Sequence, residues 1–345
     1  MVPCPTVLSA GPSAVLSPLR FSPVLKPYTW GGRKLETLLG RELPPGVTAE
    51  SWEISAHPNG PTRVAAGPHA GATLEVLVER FGLDLVGRRN ADVLDGGRFP
   101  LLVKVLDAAE WLSVQVHPDD AAAAREGDRG KTEMWVVLQA DDGAELIQGF
   151  EPGVDREGFA AAIAAGEAEG LLHRVPVQAG DVFFLRPGVV HALGPGVLLA
   201  EIQQSSDVTY RVFDWNRNQK ERPLHLERAL EILDFGAVRP GPVQPAPSEP
   251  GDTSGEPGQI EVLASCRYFE TQRLRLTGGD VWRGACDGET FEIWGVIEGA
   301  ATVGGGDGEE RLTAVDWALL PAALGEFQLR ANEPATLLRV FTPEP

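Results

Sequence analysis

Two side chains that can bind a metal, those of Gln115 and His117, stand two positions apart in the stretch LSVQVHPDD, residues 112–120. Apolar residues alternate with them, which is typical of a β-strand, and residues two apart on a strand point to the same face. The pair could therefore offer two ligands to one ion. A single histidine on a strand is more often structural, so the prediction needs further ligands.

Two later segments supply such ligands. Glu133 opens the otherwise apolar stretch EMWVVL, where a carboxylate must find water, a partner or a cation. His191 follows a Pro-Gly turn in LRPGVVHALG and begins another apolar segment. Neutral imidazoles and a carboxylate match a zinc or iron site with an open position, and thiolates are not required. The pattern therefore predicts one metal site formed by Gln115, His117, Glu133 and His191.

Cationic and polar side chains near these segments could meet an anionic substrate. Lys104 lies inside the apolar LLVKVL, where its charge must be compensated by a bound phosphate or by a buried carboxylate. Arg211 has a permanent charge and a planar donor fork. It could stabilise an anion, or it could form a surface ion pair with a neighbouring aspartate. Ser113 shares the strand face of Gln115 and could point into the same cavity.

The elements that must position these residues are mostly strands. With 40 glycines, 28 prolines and short alternating apolar runs, the sequence predicts antiparallel strands joined by turns. Helical spacing occurs from Leu74, within residues 155–172 and from Leu226, and predicts helices that pack on a sheet.

The end of the chain repeats its middle. FEIWGVIEGAATVGGG can be aligned with TEMWVVLQADDGAELIQG so that Glu292 meets Glu133, and further on Asp316 meets Asp181. This repeat predicts a duplicated barrel. The second copy has no Gln-x-His pair and carries Glu326 or Phe327 where His191 aligns, so only the first barrel is expected to bind metal.

The predicted division follows composition. Residues 1–20 are expected to be a flexible arm, and residues 21–235 to form the metal-binding barrel with helical additions. Residues 236–258, rich in proline and glycine, are expected to be a linker, and residues 259–345 to form the second, degenerate barrel.

Composition excludes several classes of protein. A net charge of -19 argues against a nucleic-acid coat. Three widely spaced cysteines suggest neither disulfides nor a thiolate site. No apolar run reaches the ~18 residues needed to span a bilayer, and the start lacks the basic region of a signal peptide. We expect a cytoplasmic protein that binds neither membrane nor nucleic acid.

Four motifs in one order resemble the type I phosphomannose isomerases. They are YTWGGRKLETLLG, ESWEISAHPNG, PLLVKVLDAAEWLSVQVHPDD with GKTEMW, and RPGVVHALGPGVLLAEIQQSSDVTYRVFDWNR. The resemblance implies a mainly β fold of two cupin-type jelly-roll barrels. It also implies a zinc-dependent interconversion of mannose 6-phosphate and fructose 6-phosphate through an enediolate, in a monomer or homodimer.

The resemblance also implies roles for individual residues. One zinc ion per chain would be held by Gln115, His117, Glu133 and His191. Arg211 and Lys131 would be catalytic, whereas Ser113 and Lys104 would line the phosphate pocket.

Three questions stay open at this stage. The general base could be Lys131 or Glu201. The chain could also be a non-catalytic metal cupin that binds or senses a sugar phosphate, which would need no proton-transfer residues. An iron dioxygenase is a third reading, although it would normally use more histidines.

Overall fold

A computed structural model describes residues 16–215, 217, 223–247 and 257–344. In its first half the strands are β1 (Leu19–Ser22), β2 (Val24–Lys26), β3 (Glu50–Ile54), β4 (Arg63–Val64), β5 (Leu101–Ala108), β6 (Val114–Val116), β7 (Glu133–Ala140), β8 (Glu145–Phe150), β9 (Leu172–Pro176), β10 (Val182–Leu185), β11 (His191–Leu193), β12 (Val197–Gln204) and β13 (Tyr210–Phe213). The later strands are β14 (Ala246–Pro247), β15 (Gln259–Ser265), β16 (Glu270–Leu276), β17 (Val281–Cys286), β18 (Glu292–Glu298), β19 (Ala300–Gly305), β20 (Gly308–Thr313), β21 (Trp317–Leu320), β22 (Gly325–Ala331) and β23 (Ala335–Phe341).

The α-helices lie between the strands. They are α1 (Lys34–Thr37), α2 (Leu74–Phe81), α3 (Leu83–Val86), α4 (Asp120–Ala123), α5 (Arg156–Ala165) and α6 (Leu226–Ile232). The three predicted helical segments correspond to α2, α5 and α6. The alanine-rich helix is shorter than its spacing predicts, because Gly166 ends it at a φ of 76°. No helix in the described part of the chain is long and apolar enough to cross a membrane.

The prediction of a mainly β protein is confirmed, and the strands form four antiparallel sheets, none of which closes on itself. The eight-stranded sheet has the order β14-β15-β16-β23-β18-β21-β1-β4, and the four-stranded sheet is β17-β22-β19-β20. The six-stranded sheet is β10-β7-β12-β5-β3-β2, and the five-stranded sheet is β13-β6-β11-β8-β9.

Three apolar clusters hold these sheets together in layers. One, with Leu106, Trp135 and Leu193, lies between the six- and five-stranded sheets. A second joins the other face of the six-stranded sheet to the eight-stranded sheet. The third lies between the eight- and four-stranded sheets. Strands β5 and β12 are therefore buried along their whole length, which explains their nearly continuous apolar sequences.

The first described strand pairs with the second half of the chain. Leu19 lies opposite Leu319 of β21, and Phe21 lies opposite Val64 of β4. Most of the predicted arm, residues 1–15, lies outside the described residues, but Leu19 and Arg20 form part of the eight-stranded sheet.

The internal repeat has a counterpart in strand pairing. Glu133 opens β7 and lies opposite Leu185 of β10. Glu292 opens β18 and lies opposite Leu320 of β21. Each copy therefore places a glutamate at the first position of a strand, opposite a leucine of the neighbouring strand.

Candidate metal centre

Three buried side chains converge on one point. His117, Glu133 and His191 each contribute one ligand atom, and these three atoms lie within 4.8 Å of one another. His117 Nε2 is 3.5 Å from Glu133 Oε2, and His191 Nε2 is 3.3 Å from Glu133 Oε1. In the described part of the chain this is the one cluster of three or more such groups.

The two facing sheets bring the cluster together. Glu133 begins β7 of the six-stranded sheet, whereas His191 begins β11 of the five-stranded sheet, opposite Gln115 of β6. Gln115 Nε2 is 3.4 Å from His191 Nε2. A half-turn of this amide would present its oxygen to the cluster instead, so all four predicted ligands are gathered at one place.

Backbone carbonyls fix the orientation of both imidazoles. His117 Nδ1 is 3.0 Å from the Val208 carbonyl oxygen, and His191 Nδ1 is 2.9 Å from that of Val189. A carbonyl oxygen can only accept, so each Nδ1 carries the proton and each Nε2 keeps a lone pair directed at the cluster. Burial lowers the pKa of His191 to about 4, and burial followed by the nearby Lys131 lowers that of His117. Both rings are therefore neutral near pH 7, as metal ligands must be.

The negative charge of Glu133 is only partly compensated by the protein. Both of its carboxylate oxygens are buried, and neither accepts a well-directed hydrogen bond from the protein. Lys131 Nζ is 3.0 Å from Oε2 and also 3.1 Å from His117 Nε2. Burial nevertheless dominates and raises the pKa of Glu133. Two neutral nitrogens, a carboxylate and an amide therefore fit a divalent cation that accepts nitrogen and oxygen ligands.

A cleft of about 430 Å³ lies beside the cluster. Five of the predicted site residues line it: Lys104, Ser113, Gln115, Lys131 and Arg211. Gln115 and Lys131 also contact the cluster, so the cleft and the cluster meet at these two side chains.

The charge of Lys104 is compensated by buried carboxylates. Its Nζ is 3.0 Å from Glu201 Oε2 and 3.7 Å from Glu50 Oε2. Burial lowers the pKa of Lys104, but these two carboxylates outweigh burial and raise it. Burial raises the pKa of Glu201, whereas Lys104 and Lys131 outweigh this and hold it at about 2.

Two tryptophans complete this ionic group. Trp135 Nε1 donates to Glu201 Oε1 at 2.9 Å, and Trp52 Nε1 donates to Glu50 Oε2 at 2.6 Å. Glu50 was missed as a cleft residue by sequence reasoning. The available signal was its position two residues before a tryptophan, a spacing that recurs where Glu292 precedes Trp294.

Arg211 faces the cleft with hydrogen-bonding capacity to spare. It lies on β13 opposite Gln115, and its buried Nε donates no hydrogen bond to any residue that the structure describes. The aspartates that sequence reasoning offered as surface partners have other donors. Asp214 pairs with Arg217 at 2.7 Å, and Asp207 accepts from Asn59 Nδ2 at 2.7 Å.

A family model described as phosphomannose isomerase type I, catalytic domain, matches residues 19–140. The mannose-6-phosphate isomerase of Streptococcus mutans is 41% identical over 253 residues, covering 72% of this chain and 76% of that protein. Mannose-6-phosphate isomerase ManA of Bacillus subtilis is 37% identical over 322 residues, covering 90% and 95%.

Solved structures of mannose 6-phosphate isomerases have a fold similar to that of this chain. The crystal structure of mannose 6-phosphate isomerase from Bacillus subtilis has a TM-score of 0.81 at 34% identity and covers 94% of this chain and 99% of its own. A zinc-bound mannose 6-phosphate isomerase has a TM-score of 0.75 at 16% identity, covering 95% and 100%. At that identity the second likeness concerns the fold alone.

Proposed function

Since this chain belongs to the type I mannose-6-phosphate isomerases, we propose that it interconverts mannose 6-phosphate and fructose 6-phosphate at a zinc site. The observation that carries the proposal is the convergence of His117, Glu133 and His191 beside a cleft lined by cations. An aldose–ketose isomerisation moves a proton between two neighbouring carbons. It therefore needs a group that transfers this proton, and it also needs positive charge placed near the sugar oxygens.

Zinc is the proposed ion, and Gln115, His117, Glu133 and His191 would hold it. When bound, it would act as a Lewis acid that stabilises negative charge on the sugar oxygens, a contribution of roughly several kcal/mol. Support comes from the neutral imidazoles and from the buried carboxylate between them, and the fold is shared with an isomerase whose structure is zinc-bound.

Lys131 is the proposed proton-transfer residue. A general base must lie within hydrogen-bonding reach of the reacting carbon, and Lys131 lies where the cleft meets the cluster. Glu201 is less suited, because Lys104 and Trp135 engage its two oxygens and hold its pKa at about 2. A carboxylate with that pKa is a weak base near neutral pH.

The remaining cleft residues are proposed to bind the anionic substrate. Arg211 would face the negative charge that develops on the sugar, since its buried Nε has no hydrogen-bond partner among the described residues. Ser113 and Lys104 would line the phosphate end of the cleft. Because Glu201 already balances Lys104, Lys104 would contribute through a hydrogen bond more than through a free charge.

We also propose that the six- and five-stranded sheets form one jelly-roll barrel and the eight- and four-stranded sheets the other. The enclosed apolar clusters and the matched pairing of Glu133 and Glu292 support this arrangement. The proposed boundaries are residues 21–235 and 259–345, joined by the linker 236–258, and β1, β4 and β14 extend the eight-stranded sheet from outside residues 259–345.

A coupled assay tests the activity. Purified protein should convert mannose 6-phosphate to fructose 6-phosphate, contain about one zinc per chain, lose activity with a strong chelator and regain it with added zinc. Full activity in a metal-free preparation would refute the zinc mechanism. Binding of the sugar phosphate without turnover in the zinc-loaded protein would instead favour the sensing function.

A further inference from the structure

Asp128 is a partly buried acceptor at which three loops meet. Its Oδ1 accepts from Arg98 Nη1 and, at 2.9 Å, from the Arg129 backbone N–H. Its Oδ2 is 3.4 Å from His57 Nε2 and accepts from the Asp207 backbone N–H at 3.3 Å. The side chain is 14% exposed. One carboxylate therefore receives four donors from different parts of the chain.

The protonation of His57 is defined by its other contact. The Asn59 backbone N–H donates to His57 Nδ1 at 3.2 Å, so Nδ1 accepts and Nε2 carries the proton that faces Asp128. Burial alone raises the pKa of Asp128. Hydrogen bonds from His57, from the Arg129 backbone and from Arg98 outweigh burial and hold that pKa well below its usual range.

Residues 128–131 and residues 205–208 are joined by further bonds. Ser206 Oγ donates to the Arg129 carbonyl at 2.7 Å. Arg98 Nη1 also donates to the Ser205 carbonyl at 3.1 Å, so it links that loop to Asp128. The Val208 backbone N–H donates to Ser206 Oγ at 3.3 Å.

These loops carry parts of the proposed site. The Val208 carbonyl accepts the Nδ1 proton of His117, which keeps the Nε2 lone pair directed at Glu133. Lys131 follows Asp128 by three residues and contacts both of those ligands. A shift of residues 205–208 would therefore change the orientation of His117, which lies outside that loop.

We propose that Asp128 is a positioning residue, which holds residues 205–208 where the Val208 carbonyl fixes the tautomer and orientation of His117. The carboxylate suits this role because both oxygens can only accept. Each oxygen of Asp128 faces two donors. An asparagine would turn an N–H group toward one of these pairs, so either two hydrogen bonds would break or the loop would move. This inference rests on the proposed metal site for its function, but its geometry concerns the protein alone.

Asp128→Asn tests the proposal because it preserves shape and removes the charge. Zinc affinity of the variant, measured by competition with a chromophoric chelator, should fall by about 10-fold or more, the usual effect of losing an outer-shell contact. The visible spectrum of the cobalt-substituted protein should also change. Asp142→Asn, an exposed change in the turn after β7, controls for net charge. Leu329→Ala, in the apolar cluster of the second half, controls for lost stability, and both controls should keep wild-type zinc affinity.

A second measurement needs no metal. Long-range nitrogen–proton NMR spectra of the imidazoles, assigned with His117→Ala, should find His117 protonated on Nδ1 in the metal-free wild-type protein and mixed between tautomers in Asp128→Asn. Unchanged zinc affinity together with an unchanged tautomer would overturn the proposal. If the tautomer is fixed in the wild-type protein and mixed in Asp128→Asn but neither protein binds zinc, the proposed metal function fails while the positioning by Asp128 stands.

Discussion

Replacing Lys104 by methionine should expose how strongly the cleft depends on a buried ion pair. Lys104 on β5 lies directly opposite Glu201 on β12, and their charged atoms are 3.0 Å apart. The two side chains are only 4% and 3% exposed. Methionine keeps most of the volume of the lysine stem but leaves Glu201 with the Trp135 hydrogen bond and the more distant charge of Lys131.

The size of the effect follows from charge and burial. At 3.0 Å and an effective dielectric constant of about 20, the attraction is roughly 5.5 kcal/mol, most of it offset by desolvation of the two charges. In the variant, Glu201 can bind a proton instead of staying charged, and this sets an upper limit on the loss of stability. The limit is the free energy of protonating a glutamate whose unfolded-state pKa is about 4.3, which is about 1.4 kcal/mol for each pH unit above that value. We therefore expect Lys104→Met to destabilise the protein by about 3–4 kcal/mol at pH 7.

The same reasoning sets the sign of the pH dependence. In the wild-type protein the pKa of Glu201 is held at about 2, below its unfolded value. Its stabilisation is therefore present above about pH 4.3 and is lost only as pH falls toward 2. In the variant the folded pKa rises above the unfolded value, so the destabilisation grows with pH. Between pH 7 and pH 5.5 the difference between the two proteins should shrink by about 2 kcal/mol.

Urea unfolding of the zinc-loaded protein, followed by tryptophan fluorescence at both pH values, measures these differences. Glu201→Gln should be milder, because Lys104 keeps Glu50 at 3.7 Å. The double variant Lys104→Met/Glu201→Gln should recover much of the lost stability, since the charge of Glu201 is removed and Glu50 keeps its hydrogen bond from Trp52 Nε1. A loss below about 1 kcal/mol for Lys104→Met at pH 7, or one that does not shrink at pH 5.5, would contradict the reasoning.

Three further changes test the site and the contact between the two halves. His191→Ala should abolish zinc binding measured by metal analysis, whereas Glu326→Ala, the aligned exposed position of the second half, should leave it unchanged. Arg211→Met should retain zinc but reduce kcat in the coupled assay, and an unchanged kcat would remove Arg211 from the catalytic residues. Arg41→Met should lower the free energy of unfolding by roughly 3–5 kcal/mol in urea titrations without weakening zinc binding. The reason is that Arg41 binds the buried Glu53 at 2.6 Å and also the Val315 carbonyl at 2.6 Å.

The four residues that the structure gathers at one place could be picked out from sequence because each breaks a strong local pattern. Gln115 lies between two valines in β6 and His117 directly follows that strand, whereas Glu133 and His191 stand at the first positions of apolar strands. A polar side chain in such a place needs a partner, and side-chain direction on a strand is fixed by the period of two. These local rules suffice to list the ligands, although they do not say which strands face each other.

The partners of Lys104 could not be predicted by the same rules. Its compensation depends on the register between β5 and β12, which brings Glu201 opposite Lys104 across a long separation in sequence. Either a phosphate or a carboxylate would satisfy a lone charge in an apolar strand, and only the sheet decides between them. The pairing of Leu19 with Leu319 is likewise non-local, so a composition-based arm boundary at residue 20 does not anticipate it.

The second half of the chain presents the same electrostatic problem with a different answer. Glu292 opens β18 as Glu133 opens β7, and both are buried. Glu292 is paired with Arg339, and Trp294 Nε1 donates to its Oε2 at 2.7 Å. Among the described residues no arginine pairs with Glu133, and its neighbours are Lys131 Nζ at 3.0 Å and two neutral imidazoles whose lone pairs also need a cation. A buried carboxylate at this strand position therefore requires positive charge in both halves. Arg339 supplies it beside Glu292, and beside Glu133 we propose that a metal ion bound by the two histidines adds to the charge of Lys131.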